Sequence, residues 1–405
     1  MVRTRRLVGV LLALVVAGCG MTGPTPSPHS TVPLASAPRP VPGHEVYGYA
    51  PYWEMDDGLA DHVAKTDLTT LALFSITHRK NGSMNEDENG FRHIDGPVGR
   101  RLLDEAHERG VRVELVYTSF GADKNRAFFG EGGGAAQERW IDVLVGFAAE
   151  RGFDGINVDV ESLPPDLLPS YGGFVGRLRE ALRARVTGAE VSVATGAGEL
   201  GAAMAAAATL AGADRIFLMG YDYRTAESEP GASAPLERSD GGFKSLAWSL
   251  DLYAALGVPV ERTILGLPLY GVTWPVAGPE FGAFATGRGD TWVPRRNLPT
   301  FADPTFAATY EPTESVEFFA QGPRAVPGAS AMPGASAVPG SPSGSGAPGS
   351  WTAVYFDSPR SLRPKLALAD ARGLAGAGFW AIGYERGLPD YTRLIASFRA
   401  GELQR

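Results

Sequence analysis

Apolar runs of strand length alternate with amphipathic segments of helical length along most of the chain. The runs that predict strands are 46–50, 68–77, 111–119, 155–160, 191–195, 216–220, 264–270 and 378–383. The segments between them that are typical of amphipathic helices include 98–109, 136–151, 166–186 and 243–256. Strands that are apolar throughout are typical of parallel sheets covered on both faces. Eight β–α repeats therefore predict an α/β fold of the (β/α)8, or TIM, barrel type.

A doubly wound open sheet is the alternative for the same alternation of elements. That fold carries a glycine-rich phosphate-binding turn directly after its first strand. Here the first predicted strand runs into Tyr-Ala-Pro-Tyr-Trp at 49–53, which contains no glycine. The sequence at this turn favours the barrel.

The repeat is interrupted between the seventh and the eighth predicted strand. We interpret 271–358 as a small β-rich insertion, because 309–319 and 351–356 are rich in the aromatic and β-branched residues of β hairpins. Its central part, 321–350, contains six Pro and seven Gly residues and repeats the pentapeptide Pro-Gly-Ala-Ser-Ala. We expect this part to be a disordered loop, because it has too little apolar surface to bury.

The first residues of the chain predict export. Three arginines precede an apolar run, 7–18, that is too short to span a bilayer, and Val-Ala-Gly-Cys follows at 16–19. This segment resembles a bacterial lipoprotein box, so we predict a signal peptide at 1–18 and a lipid on Cys19. An ordinary signal peptide with a coincidental cysteine is the alternative. The Pro-rich segment 19–42 would be a tether, and the barrel would occupy 43–405 outside the cytoplasmic membrane.

Composition narrows the function further. The net charge is −8, which makes nucleic acid an unsuitable partner and suits a neutral or polar substrate. The chain has one Cys and six scattered His residues, so neither a disulfide framework nor a metal site is expected, and nothing in the sequence implies a cofactor. We expect a monomer.

The chemistry is concentrated in the fourth predicted strand, which ends Asn157-Val158-Asp159-Val160-Glu161. Side chains alternate across a strand, so Asn157, Asp159 and Glu161 share one face and would point into the barrel. Polar groups stacked there are costly unless they bond one another or take part in catalysis. Because active sites of such barrels lie at the carboxyl ends of the strands, we favour catalysis over a purely structural network.

The segment 154–161 resembles the D-G-x-D-x-D-x-E signature of the family 18 glycoside hydrolases, the chitinase-like enzymes. Other segments are similar to that family at the ends of further strands: Ser-Phe-Gly-Ala at 119–122, Met-Gly-Tyr-Asp at 219–222, 265–271 and 378–383. The resemblance covers 44–398, including an insertion after the seventh strand. It departs at Asn157, where the signature has Asp. The spore cortex-lytic and chitobiase branches of the family resemble this chain in having Asn at that position.

The resemblance implies retaining, substrate-assisted hydrolysis of N-acetylglucosamine-containing glycans. Glu161 would be the general acid and base, and Asp159 would hold the substrate acetamido N–H. Tyr221 would bind the acetamido oxygen, with Asp222 supporting the same subsite. Trp380 would lie under the sugar, and Met219 and Tyr49 would line the pocket. We include Asn157 in this catalytic set. Because it replaces an Asp of the signature, Asp159 has one fewer neighbouring carboxylate with which to share a proton.

Several alternatives stay open. A lectin-like or catalytically weak envelope lipoprotein on the same fold, or a structural lipoprotein, competes with an enzyme, although relatives that are lectins lack the acid that Glu161 would supply. The glycan could be chitin, peptidoglycan or an N-glycan core. Three further tryptophans could be outer sugar platforms or loop anchors, namely Trp53, Trp274 and Trp292.

Overall fold

The computed structural model describes residues 43–322 and 351–403. The predicted signal peptide, Cys19 and the tether lie outside these residues, as does the predicted loop from residue 323 onward. Among the described residues, none of the helices combines the length and the apolar character needed to cross a membrane.

Strands and helices of the barrel alternate in the order that the hydrophobic pattern predicts. The strands are β1 (Glu45–Pro51), β2 (Thr70–Thr77), β3 (Arg112–Phe120), β4 (Gly155–Glu161), β5 (Glu190–Gly196), β6 (Arg215–Met219), β7 (Thr263–Pro268), β8 (Gly271–Val276), β9 (Asp290–Trp292), β10 (Thr309–Glu311), β11 (Val316–Gln321), β12 (Trp351–Phe356) and β13 (Gly376–Trp380). The helices are α1 (Asp57–Val63), α2 (Asn89–Ile94), α3 (Pro97–Glu108), α4 (Ala122–Phe129), α5 (Gly134–Arg151), α6 (Leu168–Arg185), α7 (Glu199–Leu210), α8 (Leu246–Ala255), α9 (Leu298–Ala302), α10 (Pro359–Ala371) and α11 (Pro389–Arg399).

Local sequence explains where several helices begin and end. Ser358 caps α10: its hydroxyl accepts the backbone N–H of Ser361, whose own hydroxyl accepts the N–H of Ser358 at 2.9 Å. Proline occupies the first position of α3, where its missing N–H costs nothing. Gly152 ends α5 with a φ of 84°, a left-handed conformation that favours glycine.

Eight strands close into a parallel barrel in the order β1-β13-β7-β6-β5-β4-β3-β2. The predicted (β/α)8 barrel is confirmed. The predicted strands differ most from the observed ones at the last two positions. β7 ends at Pro268, two residues early, because the Leu269 N–H bonds the Trp380 carbonyl at 2.7 Å and the chain then turns into β8. β13 begins at Gly376, where it pairs with Glu45 of β1.

The alternation within strands divides the core into two layers. On β4, Ile156, Val158 and Val160 are at most 2% exposed and belong to the large apolar cluster that includes helix residues. The opposite faces of the strands fill the barrel with a second cluster: Tyr47, Tyr49, Ala72, Phe74, Val116, Ala194, Phe217 and Ile264. Gly266 makes room for this filling, since a Cβ there would lie 2.4 Å from the Phe217 ring. The barrel interior is thus packed, and polar groups enter it only at defined places.

Strands β8 to β12 form a separate antiparallel sheet in the order β10-β11-β12-β8-β9, inserted in the chain between β7 and β13. Two tryptophans belong to its packing. Trp274 is fully buried against the Tyr355 ring, and Trp292 is 7% exposed against Phe356. Burial makes both unavailable as sugar platforms, so for these two the loop-anchor alternative holds.

A buried ion pair joins this sheet to the chain that follows β6. The Arg224 guanidinium donates to both carboxylate oxygens of Glu314, at 2.7 and 3.1 Å. Glu314 also accepts the hydroxyl of Ser239 at 2.6 Å and the backbone N–H of Ala232 at 3.1 Å. Because Glu314 is fully buried, these bonds satisfy a charge that would otherwise be costly to enclose.

Candidate active site

A cavity of about 520 Å³ opens at the carboxyl ends of the barrel strands. Most of its lining comes from strand ends and the loops that follow them. The lining residues are Tyr49, Tyr52, Trp53, Phe74, Ser75, Ile76, Thr77, Glu88, Gly90, Thr118, Phe120, Lys124, Asp159, Glu161, Ala194, Met219, Tyr221, Asp222 and Trp380. A concave pocket that combines aromatic walls with convergent polar groups is the usual form of a small-molecule site.

The end of β4 places two carboxylates in this cavity. Asp159 is 4% exposed, and Glu161 lies two residues further at the more accessible end of the strand. The strand end is held from α4: the Asn125 side-chain amide donates to the Glu161 carbonyl at 2.6 Å and accepts the Ser119 hydroxyl at 2.7 Å. The Ser-Phe-Gly-Ala segment therefore contributes through Ser119, which fixes the helix residue that holds Glu161.

The two carboxylates of β4, Asp159 and Glu161, have little hydrogen bonding or opposite charge to offset their burial. Asp159 Oδ1 is buried and has no hydrogen-bond partner among the described residues. Burial raises the pKa of Asp159 well above its ordinary value, and the nearby Glu161 charge raises it further. Burial also raises the pKa of Glu161, with an additional contribution from the charge of Asp222. Each group thus keeps a proton to higher pH than it would in water.

The turn after β6 brings a tyrosine and a third carboxylate to the cavity. Asp222 adopts a φ of 60° and accepts a short hydrogen bond from the Tyr270 hydroxyl, and its backbone N–H donates to Ser233 Oγ at 3.0 Å. Burial raises the pKa of Asp222, while the bonds from Tyr270 and Ser233 oppose that rise. The Tyr221 hydroxyl makes no hydrogen bond within the described part of the chain, although the side chain lines the cavity.

Aromatic rings form the apolar side of the cavity around the half-buried Trp380. The Phe74 ring meets it edge-on with centroids 4.8 Å apart, and the Tyr49 ring lies 5.5 Å away. Trp53 is 45% exposed, 6.1 Å from Trp380, and its indole N–H donates to the Tyr384 hydroxyl at 3.1 Å. Trp380 therefore offers a fixed aromatic surface, and Trp53 extends it outward.

Beneath the cavity lies a hydrogen-bond network, here called the floor network, formed by Tyr47, Glu114, Asn157 and Ser192. The Asn157 amide donates to Ser192 Oγ at 2.7 Å and accepts the Tyr49 hydroxyl at 3.1 Å. The hydroxyls of Ser192 and Tyr47 both donate to Glu114 Oε2, the second at 2.7 Å. Burial raises the pKa of Glu114 to about 7, against the lowering effect of these two bonds.

Comparison with known proteins identifies the family. The model of glycosyl hydrolases family 18 matches residues 45–385, which is most of the chain. The chain belongs to this family.

Individual relatives of this family 18 chain are distant. An endochitinase of Brugia malayi is 25% identical over 186 residues, 42% of this chain and 36% of that protein. The chain spans about a third of the length of the curated relatives that it matches.

Solved structures share the fold at low sequence identity. The Bacillus cereus spore cortex-lytic enzyme SleL is 18% identical to this chain, with a TM-score of 0.66. The match covers 88% of this chain and 74% of the SleL chain. A family 18 chitinase of Cycas revoluta in complex with (GlcNAc)3 is also 18% identical with a TM-score of 0.66, covering 87% of this chain and 99% of its own.

The cavity of this family 18 chain collects most of the residues that the sequence singled out. The ones that line it are Tyr49, Trp53, Asp159, Glu161, Met219, Tyr221, Asp222 and Trp380. Asn157 does not line it: this residue is fully buried one layer below, where its amide donates to Ser192 and accepts from Tyr49. We therefore assign Asn157 to positioning. No cluster of three metal-ligating side chains occurs within 43–322 or 351–403.

Three residues in or beneath the cavity were not predicted from the sequence. Glu114 was hidden inside an apolar strand, although a lone acidic residue in the middle of β3 is itself a signal of an internal polar contact. Lys124 and Thr77 line the wall made by β2, β3 and α4. Their involvement depends on a side chain reaching from a helix across one strand to the next, which no local pattern encodes.

Proposed function

We propose that this chain hydrolyses β-linked glycans containing N-acetylglucosamine, with retention of configuration and with Glu161 as general acid and base. The observation that carries the proposal is the buried, unpartnered Asp159 Oδ1 beside Glu161 in a cavity with an aromatic side. A buried acceptor without a partner costs folding free energy, so its retention is expected where a ligand supplies the donor.

The reaction would begin with proton transfer from Glu161 to the glycosidic oxygen as the bond from C1 breaks. The substrate's own acetamido oxygen attacks C1 and forms a cyclic oxazolinium ion. Asp159 accepts the acetamido N–H and stabilises the positive charge that develops there, while the unpaired Tyr221 hydroxyl donates to the acetamido oxygen. Water then attacks C1, and the Glu161 carboxylate takes its proton, which restores the acid. The raised pKa of Glu161 supports the first step, because an acid must hold its proton near neutral pH.

Binding would rely on the aromatic side of the cavity. The Trp380 indole suits the apolar C–H face of a pyranose ring, and Tyr49 and Met219 complete the same pocket. The (GlcNAc)3 complex of the Cycas revoluta chitinase supports N-acetylglucosamine as the sugar recognised. SleL, a spore cortex-lytic enzyme by name, keeps bacterial wall glycan among the candidate substrates.

Glu161→Gln tests the proposal. Release of a reporter from a chitobiose-type glycoside should fall by about 10²- to 10⁴-fold, because the amide cannot donate the proton, with the melting temperature retained. Glu150→Gln, on the exposed side of α5, is the matched control and should match the wild type. Full activity in Glu161→Gln would refute the mechanism. Tight binding of chitin oligomers by a wild-type protein that cleaves none would favour a lectin-like function instead.

We also propose that the mature protein is held outside the cytoplasmic membrane by a lipid on Cys19, on the strength of the lipoprotein-box resemblance. Membrane fractionation of Cys19→Ala tests this separately from catalysis. A variant as membrane-bound as the wild type would refute the anchor.

A further inference from the structure

A single cationic side chain, that of Lys124, lies among the residues that line the cavity in the described part of the chain. It belongs to α4, whose neighbouring positions Asp123 and Arg126 are exposed, whereas Lys124 is half-buried. A lysine on this helix could reach bulk water. Its long side chain instead lies along the wall formed by the ends of β2 and β3.

The ammonium group is anchored on one side only. Lys124 Nζ donates to Thr77 Oγ1 at 2.5 Å, and that hydroxyl donates in turn to the Thr118 carbonyl at 2.7 Å. An ammonium has three donors, so two remain for a ligand. Within 43–322 and 351–403 no carboxylate lies within 4 Å of this ammonium, whereas Arg126 on the same helix pairs with Asp166 at 3.0 Å.

Burial lowers the pKa of Lys124, and only the more distant Glu88 carboxylate opposes the effect. A half-buried cation without a carboxylate in direct contact is unfavourable, and a carboxylate arriving with a ligand would relieve that cost. The rest of the cavity gives such a ligand no other cation, because its remaining charged residues are Glu88, Asp159, Glu161 and Asp222.

Lys124 also lies close to the reacting groups. Phe120 of β3 is in register with Glu161 of β4, and Asn125, the next residue after Lys124, holds the Glu161 carbonyl. A sugar next to the one being cleaved could therefore bring a substituent to this wall of the same cavity.

We propose that Lys124 forms an anion subsite, so that the preferred substrate is a hexosamine glycan carrying a carboxylate, the chemistry of N-acetylmuramic acid, rather than neutral chitin. This inference rests on the proposed glycosidase function. The carboxylate has two possible sources. One is the lactyl ether group of a peptide-free muramic acid. The other is the set of acidic groups on an attached peptide, because attachment of the peptide turns the lactyl carboxylate into a neutral amide.

The test compares four substrates of equal glycan length: a neutral chitin oligomer, a peptide-free alternating N-acetylglucosamine–N-acetylmuramic acid glycan, its lactyl methyl ester, and the peptide-bearing form. Lys124→Gln removes the charge but keeps an N–H for Thr77. Lys65→Met, at an exposed position outside the cavity lining, is the matched control.

We expect Lys124→Gln to lower kcat/KM on an acidic glycan by about 10-fold or more, mainly through KM, while the neutral oligomer and the ester change less than twofold. Raising the salt concentration should shrink the wild type's advantage on the acidic glycan. Loss on the peptide-free glycan identifies the lactyl group, and loss on the peptide-bearing form identifies the peptide. Lys65→Met should match the wild type throughout.

An equal loss on neutral and acidic substrates, or no loss on either, would overturn the subsite and leave Lys124 as a helix anchor. Hydrolysis of the neutral oligomer by the wild type would still support the proposed glycosidase. Absence of hydrolysis on every substrate would instead count against the proposed function itself.

Discussion

The floor network and the carboxylates above it occupy the same barrel interior but are built in opposite ways. Below, Glu114 receives two hydroxyl donors and the Asn157 amide is bonded at both ends. Above, Asp159 keeps an unpartnered buried oxygen, and the charges of Glu161 and Asp222 disfavour ionisation of their neighbours. Saturated polar groups fix geometry, whereas unsaturated ones leave bonding capacity for a substrate. The difference between the layers locates the chemistry more sharply than the presence of acidic residues alone.

The largest effect should come from the upper layer. Asp159→Asn should lower kcat/KM on a chitobiose-type substrate by about 10²- to 10³-fold, because the amide cannot stabilise the developing positive charge. The free energy of unfolding at pH 7 should stay equal or rise. The raised pKa of Asp159 means that its contribution to stability is full only below the unfolded-state pKa and is lost as the pH increases. Steady-state kinetics and urea unfolding measure the two quantities.

Asp154→Asn is the matched control, at the position directly before the same strand. Asp154 accepts the Val113 backbone N–H at 2.7 Å and contacts His107, so it serves structure. This variant should lose stability but keep its activity per folded molecule. The same loss of activity in both variants would contradict the division between layers.

The second-largest effect should come from the floor network and should appear in the pH dependence of stability. Burial raises the pKa of Glu114 from 4.5 to about 7, so its stabilising contribution is complete below pH 4.5 and is lost as the pH rises through 7. Glu114→Gln removes this titration. The free energy of unfolding of the wild type should therefore fall, relative to the variant, by up to about 3 kcal/mol between pH 4.5 and pH 8. Parallel stability curves for the two proteins would show that Glu114 does not titrate in this range.

The smallest effect should appear in the pH profile of catalysis. Tyr270→Phe removes the hydrogen bond that keeps the pKa of Asp222 down, so Asp222 stays neutral to higher pH. Less negative charge then faces Glu161, which loses its proton earlier. The alkaline limb of kcat/KM should move to lower pH by about half a unit, an effect of under 1 kcal/mol. An unchanged limb would mean that Asp222 and Glu161 do not interact during the reaction.

Periodicity predicted the barrel well because each strand carries its own signal. All eight predicted strands overlap barrel strands, and the period-two pattern of β4 placed Asp159 and Glu161 on the inner face. Errors are concentrated at strand ends, as with β7, where a bond from the Leu269 N–H to a distant strand decides the boundary. The motif resemblance added Tyr221 and Trp380, which no periodicity would have separated from core aromatics.

What the sequence could not predict depends on contacts between remote segments. The partners of Asn157 are Tyr49 and Ser192, 108 and 35 residues away in the chain, and only closure of the barrel brings them together. The fates of Trp53 and Trp274 differ for the same reason. The first is exposed at the cavity, whereas the second lies on β8 of the inserted sheet and is fully buried.

The ion pair between Arg224 and Glu314 has a consequence for protein engineering. The segment that carries Tyr221 and Asp222 continues to Arg224, and the ion pair of Arg224 attaches it to the sheet formed by β8 to β12. A designer who trims that sheet to obtain a minimal barrel would release this segment and remove Glu314, which would leave Arg224 with Asp240 as its remaining carboxylate partner. The insertion and the turn after β6 should therefore be exchanged between homologous scaffolds only as one unit.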